Sequence, residues 1–235
     1  MTFSVIIPTL NEQNNIKKVV KQFSSIKSKY NIEIIVSDSG STDKTVDISR
    51  KYCDKVVSYS GNNCNISKAR NHGAKYAKNE VLVFLDADIF IHNVNIFFEI
   101  VENSIKRKNF IAISPRISIY PKDETIIDKG IHFIITLISN ILNGIGFSYS
   151  RGCCQVISKE NFNRINGYNE KFVAAEDIDI FRRLRKIGRT AIINKLHVFE
   201  SPRRYRKEGY HKTLYYWFMN WLYTLCFNKC YSTKW

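Results

Sequence analysis

Residues 81–90, VLVFLDADIF, run five apolar side chains into two carboxylates, Asp86 and Asp88, with only Ala87 between them. In an extended chain residues i and i+2 point the same way, so two such carboxylates repel each other unless something pairs them. A hard divalent cation, Mg2+ or Mn2+, does this: it takes oxygen ligands, commonly one or two carboxylates plus substrate phosphates. A solvated pair of loop aspartates is the plain alternative, and a bare D-x-D is common. Three other stretches carry candidate chemistry. Asp38, in VSDSGSTDKT, ends an apolar run and precedes a turn composition. Its carboxylate could accept hydrogen bonds from a nucleobase or ribose, and Asp43 is the better cap for the following helix, which leaves Asp38 without a structural duty. Lys68 and Arg70, in NISKARNHGAKYAKN, put cations at a helix start, where they suit a diphosphate. Glu176 and Asp177, in VAAEDIDIF, lie in the first turn of a helix, where the dipole favours negative charge, and one of them could act as general base toward an attacking hydroxyl.

The elements that must position these residues alternate. Apolar, β-branched runs at 3–8, 32–37, 55–59 and 81–85 read as strands. Between them, residues 13–28 have helical spacing with Ile16, Val19, Val20 and Phe23 on one face, a helix is expected from Lys44 to about Tyr52, and Ser67 is the expected N-cap of a helix whose Ala69, Gly73 and Ala77 can lie close to a sheet. Continuous apolar strands separated by helices predict a parallel sheet covered on both faces, with ligands beyond the carboxyl ends of the strands. Strands one, two and four end in PTLNEQNN, SDSGSTD and DAD, so the charges gather at that edge. Further on, 111–120 reads as a strand interrupted by a proline, 153–158 as another strand, and 176–188 as an amphipathic helix stopped by Gly188. Gly130–Ser150 holds no formal charge over 21 residues, long enough to raise the question of a membrane span, but its Asn, Thr, Ser and Gly favour a buried or surface-lying helix.

Composition limits the partners. The chain has 235 residues, with Lys plus Arg at 36 against Asp plus Glu at 21, a net +15 that favours anionic partners without choosing among nucleic acid, phosphorylated substrates and an acidic membrane face. None of the six cysteines forms a C-x-x-C pair, so a zinc site is not expected, and Cys153 and Cys154 read as buried small hydrophobes in a reducing cytoplasm. No secretory signal precedes the first strand.

Taken together, VIIPTLNEQNNI, VSDSGSTDKT, KARNHGAKYAKNEVLVFLDAD, RGCCQVISKENFNRINGYNEKF and EDIDIFRRLRKIG resemble, in order and spacing, the segments of family 2 glycosyltransferases, inverting sugar transferases of the GT-A fold. Ser39 replaces the second Asp of the family's V-D-D-G-S-x-D-x-T segment. The resemblance implies an α/β fold with a central, mostly parallel sheet flanked by helices and a C-terminal amphipathic helical tail. It divides the chain into a nucleotide-sugar half (1–115), an acceptor and catalytic half (116–200) and a basic aromatic tail (201–235). It implies a nucleotide-diphosphate sugar donor, bound through Pro8, Asn11, Glu12, Asp38, Lys68, Arg70, Asp86, Ala87, Arg203 and Arg204. Mn2+ or Mg2+ would sit on Asp88, with Asp86 nearer the ribose or the metal's water shell. Gly152 and Glu176 would lie on the acceptor side, and Asp177 would be the catalytic base. His197 is expected to be packed rather than a metal ligand.

Between Lys212 and Lys229 the tail holds 16 uncharged residues rich in Tyr, Trp and Phe, short of the ~20 needed to span a bilayer. Basic flanks and clustered aromatics predict a peripheral membrane contact through 203–229, hence a glycan or lipid-linked acceptor and a cytoplasmic protein at the inner face of the membrane. A core-packing or dimer-forming helix is the alternative, so a homodimer stays open. A nucleic-acid-binding module would explain the charge but not carboxylates at three element ends, and nucleic acid is not an expected partner. A nucleotidyltransferase should show a Gly-rich loop after the first strand, and residues 8–16 contain no glycine. A catalytically inactive sugar-nucleotide-binding relative is the remaining rival.

Overall fold

The computed structural model describes residues 1–59, 64–147 and 149–232. Ser148 of the uncharged run and Lys234 of the tail fall outside them. In chain order the elements are β1 (Phe3–Thr9), α1 (Ile16–Lys21), β2 (Ile32–Asp38), α2 (Thr45–Tyr52), β3 (Lys55–Ser58), α3 (Ile66–Lys75), β4 (Val81–Leu85), β5 (Phe90–Ile91), α4 (Val94–Lys106), β6 (Phe110–Ile119), α5 (Ile126–Gly144), β7 (Cys154–Ser158), α6 (Lys159–Arg164), α7 (Glu176–Arg185), β8 (Arg189–Glu200), α8 (Arg203–Glu208) and α9 (Tyr210–Phe227).

The strands form one sheet in the order β3-β2-β1-β4-β7-β6-β8-β5. The first four are parallel; β1, β2 and β4 have the unbroken apolar runs of strands buried on both faces, and β3 is the half-exposed edge. β7 runs antiparallel to β4 and to β6, β8 is parallel to β6, and β5 is antiparallel to β8. Parallel pairings thus predominate in the first half, and the second half is mixed. Pro8 is tolerated in central β1 because the pairing with β4 ends at Ile6–Phe84 and leaves no partner there for the missing N–H. Pro115 coincides with a shift of register between β6 and β8, so the expected interruption is a bulge inside a continuous strand.

Two apolar clusters cover the sheet. On one face Ile16, Val19, Val20 and Phe23 pack with Phe97, Phe98 and Val101 of α4. On the other Ile180, Phe181 and Leu184 of α7 pack with Phe84, Phe162 and Tyr168. Gly73 is where α3 meets β1: a Cβ there would stand 2.6 Å from Ile6 Cγ2, which confirms the close helix–sheet approach.

Several local expectations are corrected. The helix expected over 13–28 is regular only at Ile16–Lys21; a Ser-rich sequence continues as turns to Asn31, whose φ is +45°. The N-cap of α3 is Asn65, whose side chain accepts from Lys68 N, while Ser67 Oγ donates to Phe172 O. Gly188 does not end α7 by a left-handed turn; its Cβ would lie 2.7 Å from Ile111 Cδ1, so close packing demands it. The elements α4 and β8 had no assignment from periodicity. Gly130 to Gly144 of the uncharged run lies in α5, which is on the surface.

Candidate active site

The carboxyl ends of β1 and β4 open into a cleft of about 560 Å³ that is closed on its far side by α7, α8 and α9. Pro8 and Glu12 come from the end of β1, and Asp86, Ala87 and Asp88 from the end of β4. Gly152 precedes β7, Glu176 and Asp177 open α7, and Arg203 and Arg204 open α8. Eleven of the expected residues, Arg70 included, therefore share one wall-to-wall space.

Asn11, Asp38 and Lys68 do not line it. Asp38 is 2 % exposed and fully engaged: its carboxylate accepts from Thr9 Oγ1 at 2.9 Å, Gly40 N at 3.0 Å, Ser41 N at 2.9 Å and Ser41 Oγ at 2.5 Å. The expectation that it lacks a structural duty is overturned, because it ties the end of β1 to the turn after β2. Asn11 works in the same seam, its Oδ1 accepting from Thr42 N at 2.8 Å. Asp43 is the cap-like residue it was expected to be, accepting from Thr45 N. Lys68 is half-buried in the first turn of α3.

Arg70 is the buried centre of the site. Its Nη2 donates to Asp86 Oδ1 and to Gly152 O, and its Nη1 donates to Glu176 Oε1, all at 2.8 Å. The guanidinium lies 5.4 Å from the centre of the Tyr168 ring. Its charge is thus committed to two carboxylates rather than left for a phosphate, and it locks β4, the segment before β7 and α7 together. Ala175 supports this lock with a left-handed φ of +60°, a conformation that strains an L-residue and turns Glu176 and Asp177 inward.

Asp177 lies beside this lock. Burial, and then the Glu176 carboxylate, push its pKa up to about 7, against the lesser effect of Arg70. That is where a general base working at neutral pH belongs. Gly152 makes the approach possible: a Cβ there would stand 3.1 Å from Glu176 Oε1 and 3.3 Å from Asp177 Cβ. Gly152→Ala should therefore displace the start of α7 by a few tenths of an ångström. The expected outcome in steady-state assays is a loss of about tenfold in kcat with a nearly unchanged melting temperature.

Asp86 and Asp88 separate by partner. Both carboxyls are raised by burial above the usual carboxylate range. Asp86 is held by Arg70. Asp88 instead accepts from Arg203 Nη2 at 2.9 Å, and the same nitrogen reaches Glu12 Oε1 at 3.1 Å. Arg203 is 58 % exposed, so this contact is weak and displaceable, but it marks the corner as one that attracts a cation. Among the described residues no group of three or more His, Cys, Asp or Glu could enclose a metal alone. An ion bound through one or two carboxylates and a substrate's phosphates needs no such cage, and the oxygens of Asp88 and Asp86 fit that mode. His197 is packed as expected, 2.9 Å from Ser118 Oγ and away from the cleft, with its pKa depressed by burial to about 4.

Some lining residues had no expected role. Arg151 donates to Glu200 Oε1 at 2.5 Å and to Tyr205 Oη at 2.9 Å, and sits 5.0 Å from the Trp217 ring. Trp217 and Asn220 place α9 on the cleft. Arg151 stood beside Gly152 in the RGCC segment, whereas the tail's aromatic content pointed outward to a membrane. Cys153 and Cys154 are held protonated by burial, as expected of packed thiols.

Comparisons with known proteins bear on the fold and the family. Residues 4–165 match the model of the family described as Glycosyl transferase family 2, and residues 144–212 one described as N-terminal domain of galactosyltransferase. The chain is 28% identical over 179 residues to the 4,4'-diaponeurosporenoate glycosyltransferase of Staphylococcus haemolyticus, covering 71% of this chain and 47% of that protein. It thus spans about half the length of that relative. Among solved structures, TarS 1-349 of S. aureus in complex with UDP-GlcNAc aligns with a TM-score of 0.66 at 19% identity over 86% of this chain and 58% of that one. Mannosyltransferase PcManGT from Pyrobaculum calidifontis, in complex with GDP-Man and Mn2+, aligns with a TM-score of 0.69 at 19% identity over 89% and 58%. The fold is that of these GT-A enzymes, and with the family match covering well over half its length the chain belongs to glycosyl transferase family 2.

Proposed function

We propose that this chain carries the catalytic site of an inverting glycosyltransferase that moves a sugar from a nucleoside-diphosphate donor to an acceptor hydroxyl. The observation that carries the reading is the convergence, in one cleft, of Asp177 poised near neutrality with the Asp86–Asp88 pair and the cations of α8. The nucleoside half of the donor lies toward Pro8 and Glu12 at the end of β1, beside the β1–β2 seam that Asn11 and Asp38 hold closed. Asp86, fixed by Arg70, faces the ribose. Asp88 and Asp86 would hold the divalent ion, Mn2+ or Mg2+, which when bound neutralises charge on the diphosphate. Arg203 and Arg204, at the exposed start of α8, fold over the leaving diphosphate and stabilise its developing charge.

Asp177 takes the proton of the acceptor hydroxyl at its carboxylate oxygen. The acceptor oxygen then attacks the anomeric carbon from the face opposite the leaving group, the bond to the diphosphate breaks, and configuration inverts. Glu176 and Arg70 position Asp177, while Gly152 leaves room on the acceptor side. Calorimetry with UDP-, GDP- and dTDP-sugars, with and without Mn2+, tests the donor side. One of these donors is expected to bind at least about tenfold more tightly with Mn2+, and Asp88→Asn should abolish that gain while leaving the melting temperature nearly unchanged. Metal-independent tight binding in the wild type would remove Asp88 from this role.

A further inference from the structure

Helix α5 presents an apolar face that no described residue covers. Of the sixteen large apolar side chains exposed among the described residues, nine lie between Ile126 and Phe147, and four more lie in α9. Phe133, Ile134, Leu137, Ile138, Ile141 and Ile145 are all between 48 and 66 % exposed and recur every three or four positions, so they form one stripe. A contiguous patch of this kind is rare on a monomer surface unless something covers it.

The opposite side of α5 is pinned. His132 Nδ1 lies 3.3 Å from Ile117 O of β6, Ser139 is buried on the same side, and at the edge of the stripe Asn140 Nδ2 donates to Asn194 Oδ1 at 3.3 Å. Asp128, in the first turn, is buried and held by Arg206 and by Tyr210 Oη, both at 2.5 Å. With 19 residues the helix is long and apolar enough to cross a membrane by length and composition. One flank fastened to the sheet rules that orientation out, since a spanning helix in this place would have to carry the sheet with it. A bilayer can meet only the outer stripe, which puts α5 parallel to the membrane plane.

Charge selects the occupant. Asp128 is the only acid of α5 and is neutralised by Arg206, and Lys129 stands 3.9 Å from Glu124, while Arg116 and Lys195 are exposed beside the helix. A second copy of the chain on this face would bring two net charges of +15 together, whereas an anionic lipid surface complements them. We infer that α5 is an in-plane helix that seats this protein on an anionic phospholipid bilayer. The α9 helix is a weaker candidate for that role because part of it is docked: Arg182 Nη1 donates to Thr224 O, and Trp217 lies beneath Arg151. The consequence concerns the acceptor. Arg151, on the wall of the cleft, is 3.4 Å from His132 of α5, so the cleft and the lipid face are separated by about one helix diameter. This deepens the transferase reading, on which it rests for the acceptor: the hydroxyl is carried on a lipid, or on a glycan held at the membrane surface.

The test is flotation of the full chain with vesicles of phosphatidylcholine containing about one-third phosphatidylglycerol, at low salt. The variants are Ile134→Glu/Ile138→Glu/Ile141→Glu on α5 and Phe218→Glu on α9, with melting curves and sedimentation velocity run alongside. The wild type is expected to float, and the triple α5 variant to lose at least about tenfold in partitioning with its melting temperature retained. Phe218→Glu is expected to retain most of the binding. A wild type that stays with the soluble fraction, or a triple variant that floats as well as the wild type, overturns the inference. So does a wild-type dimer that the triple variant splits, which would assign the face to a second copy. Vesicle binding uses no donor, so its failure beside intact Mn2+-dependent donor binding would leave the transferase reading standing.

Discussion

Asp177→Asn should reduce transfer by about 10²–10⁴-fold while leaving donor affinity nearly unchanged. The wild-type kcat/KM should rise with pH through about 7, where Asp177 loses its proton, and this acid limb should vanish from the residual activity of the variant. Stability should move the other way. The unfolded side chain ionises near 3.8, whereas the folded one holds its proton to about 7. Between those values the native state binds more protons than the unfolded state, so this group's contribution to stability falls as pH rises from about 4 to 7 and is flat above. Asn carries no such penalty, and the variant should melt higher than the wild type at pH 8 but not at pH 4. A variant that lost activity and stability together at pH 8 would make Asp177 a structural cap. Glu176→Gln provides the contrast. It removes the like charge that raises Asp177, so the acid limb should shift to lower pH, although loss of the full ion pair with Arg70 should lower the melting temperature.

The second large effect belongs to Arg70. Its side chain is 1 % exposed and its guanidinium neutralises two carboxylates at once. Arg70→Ala leaves Glu176 and Asp86 without their cation in a largely buried place, and urea unfolding should show a loss of about 3–5 kcal/mol. For a chain of this size that corresponds to a fall in melting temperature of roughly 10 °C. Arg70→Lys keeps a charge but not the planar fork that reaches Asp86, Gly152 O and Glu176 together, so it should recover only part of the loss. Adding Glu176→Gln to Arg70→Ala should restore some stability, because it removes one of the stranded charges. If Arg70→Ala instead left the melting temperature unchanged and weakened only diphosphate binding, Arg70 would be a donor ligand and not the centre of the lock.

These two residues differ in how much of their setting a single stretch of chain records. The position of Asp177 is a local matter: a carboxylate in the first turn of a helix, after small residues, which the structure places on the cleft. The motif around Arg70 marks it as a site residue, but nothing within its own helix says that Gly152 O, Asp86 and Glu176 converge on it from 82, 16 and 106 residues away. Asp38 shows the opposite shift: it looked free for a ligand and proves to be saturated by its own turn. The composition of the aromatic tail points outward, but the tail in part turns inward, since Trp217 meets a cation, Arg151, that belongs to another segment.

The sequence by itself determined the parallel half of the sheet, the gathering of carboxylates at its ligand edge, and the family. Strand runs, turn residues and motif spacing are short-range features that a single stretch of chain records. The tertiary structure decided which charges are neutralised and which remain able to act. It set Arg70 as a lock, left Asp88 opposite a displaceable arginine, and raised Asp177 toward neutrality by burial beside Glu176. It also turned the uncharged run into a surface helix with one flank fastened and one bare. Charge pairing and burial depend on groups brought together from distant parts of the chain, and no local pattern encodes them.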